Sequence, residues 1–278
     1  MSAEIRGTKR RRKSRKRYNG SEIHKGTYIL PNLFTTANLF AGFYGIINSI
    51  NGRFQTAAVA ILVSCLFDIL DGKVARFTRA TSRFGVEYDS LADLVAFGVG
   101  PAVLVYLWAL RPFGRVGWLA AFLFVACGAL RLARFNVQVN TVSKKFFIGL
   151  PIPGAACMIA TVVLFLYDPN SRHFSPGVVF VAVTYLLGFL MVSNIPYNSF
   201  KELEAIRGKP LPILFIAVVL LTIVAANPRF MLFSLLLAYV VSGPLSLMGR
   251  WMRGWKRKKE TTNAALGGQL KEKDSEIT

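Results

Sequence analysis

The sequence predicts an all-α fold: a polytopic membrane helix bundle of about eight transmembrane helices. Eight apolar runs recur along the 278 residues, most of them near the ~20 residues that a helix needs to cross a bilayer. The basic residues are sorted. Of the 34 Lys and Arg, 29 fall in segments 1–27, 73–83, 131–147, 198–210 and 250–278. Only Arg53, Arg111, Arg115, Arg172 and Arg229 fall in the intervening loops. A soluble core could not cover so many uniformly apolar helices, in a chain that is 53% hydrophobic and 17% charged.

The elements follow in order. Residues 1–27 are a basic tail whose run from Lys9 to Arg17 suits anionic lipid headgroups. Nothing else in the chain supports nucleic acid as a partner. The start is polar and predicts no cleavable signal peptide. Ile23 to Asn32 reads as an interfacial helix ahead of the first span. The spans themselves are Leu33–Ile50, Phe54–Leu70, Leu91–Leu110, Trp118–Leu130, Ile148–Tyr167, Val178–Val192, Leu211–Ala226 and Phe230–Met248. The shorter ones need their weakly polar neighbours to complete the crossing. Residues 28–250 thus form one transmembrane domain, and 251–278 a polar tail, with Trp251 and Trp255 as interface anchors. The net charge of +20 is placed so that the positive-inside rule puts both termini in the cytoplasm, in the cell membrane. Cys65, Cys127 and Cys157 all lie in apolar runs and behave as small hydrophobes, with no disulfide or zinc spacing.

Four aspartates interrupt this apolar pattern. Asp68 and Asp71 are three apart near the end of the second span, and Asp89 and Asp93 are four apart at the start of the third. Each pair shares a helix face, and a short turn makes the two helices antiparallel neighbours. Four carboxylates can then converge on one small volume. A carboxylate at membrane depth is costly and functional by default. A divalent cation resolves the repulsion, and an all-oxygen ligand set favours Mg²⁺, Mn²⁺ or Ca²⁺ over Zn²⁺.

Around the acidic pairs lie Gly72 and Gly85, on the same helical stripes. They suit either a closely approaching ligand or close helix packing. Arg76, Arg79 and Arg83 suit phosphate, or, for the last two, topology alone. Intramembrane carboxylates also build proton and cation paths. Here, though, they cluster at one membrane face, with no acidic relay toward the other and with arginines beside them.

Asp71, Gly72, Ala75, Arg76, Gly85, Asp89 and Asp93 spell D-G-x2-A-R-x8-G-x3-D-x3-D, and Asp68 precedes the string by three. This resembles the signature of the CDP-alcohol phosphatidyltransferase family, with no position departing from it. The resemblance implies a six-helix core, here plus two. It implies transfer of a phosphatidyl group from CDP-diacylglycerol to an alcohol with release of CMP, and a homodimer. It also implies metal on Asp68, Asp71, Asp89 and Asp93, with Asp93 as the catalytic base. Gly72, Ala75 and Gly85 would let the cytidine nucleotide lie against the backbone, with Arg76 as a phosphate contact. Gly42 and Gly45 permit close helix contact without specifying a partner.

Further strings are similar to those of the members that use L-serine as acceptor. They are Pro31 to Thr35 at the first span, Ser90 to Asp93, Phe97 to Ala102, Arg131 to Asn136, and Gly149 to Pro153. Other acceptors within the same chemistry are inositol phosphate, glycerol phosphate and choline. Serine carries a carboxylate, which a bidentate arginine matches. Arg131 and Arg134, with Asn136 beside them, are the candidates. They also fit topology signals or contacts to lipid phosphate.

Overall fold

The computed structural model describes residues 29–78, 82–138, 147–167, 177–197 and 226–248, together with Phe215 and Thr222. The tails 1–27 and 251–278, with Trp251 and Trp255, lie outside the described residues. So do most of Ile23–Asn32 and most of the seventh apolar run.

Helix α1 spans Ile29–Ile50 and α2 spans Phe54–Thr78. Helix α3, Arg83–Asp93, runs on without a break through a π-turn at Leu94–Val99 into α4, Gly100–Val105. A second π-turn, Tyr106–Leu110, and a 3-10 turn, Arg111–Phe113, lead into α5, Gly114–Gln138. Then come α6, Ile152–Leu166, and α7, Val178–Val192. Helix α8 covers Pro228–Met248. Among the described residues the only strand pairing is short and antiparallel. It joins β1, Phe147–Ile148, to β2, Pro196–Tyr197.

The third apolar segment begins earlier than its apolar run. Ser82 caps α3, accepting a hydrogen bond from the Gly85 N–H at 2.9 Å. A serine at this position satisfies one of the orphan donors of the first turn, so the helix starts eight residues before Leu91. The Asp89/Asp93 pair therefore stands on formed helix.

Among the described residues, three stretches are long and apolar enough to cross a membrane: Asn32–Ile50, Phe84–Val137 and Pro228–Met248. The second is bent at Arg111–Phe113. Helices α6 and α7 are apolar but shorter. Large apolar side chains face outward in number; Phe40, Leu66, Phe122 and Phe189 are each more than half exposed. Water would not tolerate so much apolar surface, and lipid does. The chain is an integral membrane protein.

Inside the bundle, packing relies on small side chains. Ala57, Ala58, Ala96, Ala120, Ala155 and Ala160 are wholly buried, as expected where helices associate without a hydrophobic driving force. Helix α1 lies along α2, α3 and the π-turn after it pack on α1, α2 packs on α6, and α5 on α7. Gly42 makes the α1 contact possible: a Cβ there would stand 2.5 Å from the Ala96 Cα. Gly45 is likewise spent inside the chain, against Ala57, Ala60 and Ile61. At Gly149 the backbone adopts φ +83°, and a Cβ would come 2.4 Å from the Met191 carbonyl oxygen. Its own N–H donates to the Ile195 carbonyl at 2.8 Å. This turn and the strand pair tie the start of α6 to the end of α7. Helix α8 joins through Phe233, stacked on Phe165 at 4.9 Å, and through the Tyr197 hydroxyl, which donates to the Val240 carbonyl at 3.2 Å.

Candidate metal centre

Helices α2 and α3 bring the acidic residues together. One carboxylate oxygen from each of Asp68, Asp89 and Asp93 lies within 4.8 Å of the others. At an effective dielectric near 20, each such pair of unit charges repels by roughly 3 kcal/mol or more. Among the described residues, no lysine or arginine forms an ion pair with any of the four aspartates to offset this. Asp89 Oδ1 is buried and has no hydrogen-bond partner among the described residues. A buried anion with an unsatisfied lone pair, beside two others, is a strong demand for a cation. The donor set is all carboxylate oxygen, so the residues fit a hard divalent metal ion.

Asp71 stands apart from that trio. Its carboxylate is buried and Oδ2 accepts a hydrogen bond from the Thr35 hydroxyl of α1. It remains within electrostatic reach of both Asp68 and Asp89.

Helix α1 supplies more than Thr35. The Asn38 side-chain amide donates to Asp93 Oδ1 at 3.0 Å, and Asn38 Oδ1 accepts from the Ser64 hydroxyl of α2. Thr36 and Tyr88 share a hydrogen bond of 3.0 Å between their hydroxyls. Asn32 Oδ1 lies 3.4 Å from where a Gly85 Cβ would be. The sequence reading missed this floor of α1 donors. Its signal was available: Asn32, Thr35 and Asn38 recur every three residues along one face of an otherwise apolar helix.

Gly72 lies on α2 directly after Asp71, and Gly85 sits on the first turn of α3. The space at Gly85 is bounded by the Ser82 hydroxyl, 3.1 Å from the same Cβ position. Ala75 and Arg76 belong to α2 and Arg83 to α3, but their side chains lie outside the described residues, as does Arg79 entirely.

The end of α5 closes the site from the other side. Asn136 donates to the Ser90 hydroxyl at 2.9 Å, and Ser90 donates in turn to the Val86 carbonyl at 3.0 Å. Asn136 thus clamps α3 between its two aspartates. Arg134 donates to Asn194 Oδ1 at 2.8 Å and reaches the Val192 carbonyl at 3.5 Å, holding the end of α7. Arg131 differs. Its Nε is buried without a hydrogen-bond partner among the described residues, and it lies within electrostatic reach of Asp93 and Tyr239. A buried guanidinium N–H that meets no acceptor among the described residues suits a small anionic group.

The site therefore joins a trio of carboxylates, a fourth held by a hydroxyl, and an incompletely satisfied arginine. That combination can bind a cation beside an anionic ligand. The family model described as CDP-alcohol phosphatidyltransferase matches residues 28–192, the part of the chain that holds all of these residues. The chain is similar to a CDP-diacylglycerol–serine O-phosphatidyltransferase of Helicobacter pylori (strain ATCC 700392 / 26695). The two are 39% identical over 228 residues, covering 81% of this chain and 92% of that protein. It is also similar to the enzyme of the same name from Bacillus subtilis (strain 168), at 35% identity over 62% of this chain and 92% of that protein. An archaetidylserine synthase of Methanothermobacter thermautotrophicus is 40% identical over 60% of this chain and 69% of its own length.

Proposed function

The chain belongs to the CDP-alcohol phosphatidyltransferase family, and on that premise we propose the reading its site supports best. It is a CDP-diacylglycerol–serine O-phosphatidyltransferase, which moves the phosphatidyl group of CDP-diacylglycerol onto the hydroxyl of L-serine and releases CMP. The observation that carries this reading is the convergence of Asp68, Asp89 and Asp93 within 4.8 Å beside the buried, unpartnered Nε of Arg131.

Asp68, Asp71, Asp89 and Asp93 hold divalent metal, Mg²⁺ or Mn²⁺, with Ca²⁺ as a third possibility for the same oxygen set. Bound there, the metal neutralises the charge of the diphosphate and of the departing CMP. The other roles belong to the chain's own side chains. Asp93 accepts the proton of the serine hydroxyl as that oxygen attacks the phosphorus bearing diacylglycerol. Its position beside Arg131 suits this role. Arg131 holds the serine carboxylate and so aims the hydroxyl at the donor. Arg134 and Asn136 act indirectly, since their side chains are engaged with Asn194 and Ser90. Gly72, Ala75 and Gly85 let the cytidine nucleotide lie against α2 and α3. Arg76 contacts its phosphates, with Arg79 and Arg83 nearby in sequence.

The wider reading is an eight-helix protein of the cytoplasmic membrane, with both termini and the site facing the cytoplasm. The distribution of Lys and Arg supports that orientation. A homodimer completes it; Gly42 and Gly45 serve contacts within the chain.

Purified protein given CDP-diacylglycerol, Mn²⁺ or Mg²⁺ and labelled L-serine tests the assignment. Serine-dependent CMP release with labelled phosphatidylserine is the expected result. Release with glycerol phosphate, inositol phosphate or choline but not serine overturns the acceptor.

A further inference from the structure

Several helix hydroxyls of this protein follow a habit that Ser64, like Thr35, breaks. Thr36, Ser49, Ser90, Thr161 and Thr184 each donate to the carbonyl four residues back on their own helix. That back-bond is the usual resting place for Ser and Thr in a helix interior. Ser64 instead donates across to α1, to Oδ1 of Asn38. Ser64 and Asn38 are both wholly buried. An asparagine amide rotated half a turn would present its carbonyl oxygen to Asp93. The carboxylate of Asp93 only accepts, so it takes the NH₂, 3.0 Å from Oδ1, and the Ser64 hydroxyl holds that orientation from the other end by donating to the amide oxygen. Three helices thus contribute one directed chain, from α2 through α1 to α3. Among the described residues, no donor reaches the other oxygen of Asp93, Oδ2.

We propose that Ser64 and Asn38 are positioning residues: they lock one carboxylate oxygen of Asp93 and thereby hold its free oxygen at the acceptor hydroxyl. The relay rests on the proposed role of Asp93. It touches neither substrate, so it acts on the rate of the chemical step and not on the binding of CDP-diacylglycerol or serine. The π-turn that begins at Leu94 follows directly on Asp93, and turns of this kind are frequent at functional sites; Asp93 takes its aim from a side chain outside its own helix.

Three substitutions in the full-length, detergent-solubilised protein test this. Asn38→Asp keeps the shape but puts an acceptor where the donor was, and kcat should fall about 100-fold, as for a small misplacement of a catalytic group. The KM values for serine and for CDP-diacylglycerol should stay within about twofold, since no contact made equally by ground and transition state is lost. Ser64→Ala leaves the packing almost intact and should lower kcat about tenfold by freeing the amide to rotate, while Ser64→Thr, which keeps the hydroxyl, should restore most of that rate. In the Asn38→Asp background, Ser64→Ala should cost nothing further, because its effect passes through Asn38. Unchanged kcat in both Ser64→Ala and Asn38→Asp, with Asp93→Asn inactive, overturns the relay and leaves the role of Asp93 standing. Additive losses in the double variant, or losses seen in KM alone, also overturn it. Near-normal turnover by Asp93→Asn overturns the reading of Asp93 beneath it.

Discussion

The hydroxyl of Thr35 donates to Oδ2 of Asp71, joining α1 to α2 across 36 residues of sequence. This bond sets Asp71 apart from the trio of Asp68, Asp89 and Asp93. One of its oxygens is already engaged with the Thr35 hydroxyl, which leaves the other the freer for a metal ion. Thr35 and Asn38 thus divide the four acids into two restrained ones, Asp71 and Asp93, and two open ones, Asp68 and Asp89.

Replacing Thr35 by valine keeps the shape and deletes the donor. A hydrogen bond to a charged group is worth about 1.5–3 kcal/mol, so Asp71 should lose its orientation. The expected outcome is a fall in kcat of tenfold or more, accompanied by a raised Mn²⁺ requirement. Titrating activity against free Mn²⁺ checks it. An unchanged metal requirement would show that Asp71 holds its place without Thr35.

Removing the metal should stop turnover. Dialysis against a chelator is expected to abolish CMP release, and Mg²⁺ or Mn²⁺ to restore it. Mn²⁺ bound to the wild-type protein should give an electron paramagnetic resonance signal distinct from that of the free ion. That signal should weaken by at least tenfold in apparent affinity for Asp68→Asn and Asp89→Asn, since each removes one charged oxygen ligand.

The two arginines of α5 should separate in kinetics. Arg131→Gln is expected to raise the KM for serine tenfold or more with little change in that for CDP-diacylglycerol. The guanidinium of Arg134 is spent on Asn194 and the end of α7. Arg134→Gln should therefore lower thermal stability and move both KM values less than threefold. A serine KM that rises equally in the two variants would remove Arg131 from its proposed role.

Gly149→Ala tests the turn at the start of the fifth apolar run, just ahead of α6. A residue with a Cβ pays roughly 1–2 kcal/mol for the left-handed conformation. The methyl would also press on the Met191 carbonyl, at 2.4 Å. The variant should melt several degrees lower in detergent, measured by the loss of monodisperse protein on heating, while variants at the exposed Phe189 should not.

The acidic centre was legible because its pattern has few competing explanations. Carboxylates are rare in apolar helices, and spacings of three and four place each pair on one face. The donors around them were harder to read. Thr35, Asn38 and Ser64 are ordinary in membrane helices, where such residues also serve packing, and only their partners in space reveal their use. Arg134 and Asn136 looked like ligand contacts because they stand beside Arg131. Their engagement with Asn194 and Ser90 depends on how α5 meets α7 and α3, and no spacing within the sequence encodes that. The early start of α3 was readable in principle from Ser82, but the apolar run beginning at Leu91 concealed it.

All four acids, and the threonine, asparagine and serine that solvate them, lie between Thr35 and Asp93. That stretch leaves the ribosome before any later helix exists. The costliest part of the protein to place in lipid is therefore delivered first, with its hydrogen-bond donors travelling beside it. Helices added afterwards join a centre whose anions are already cushioned.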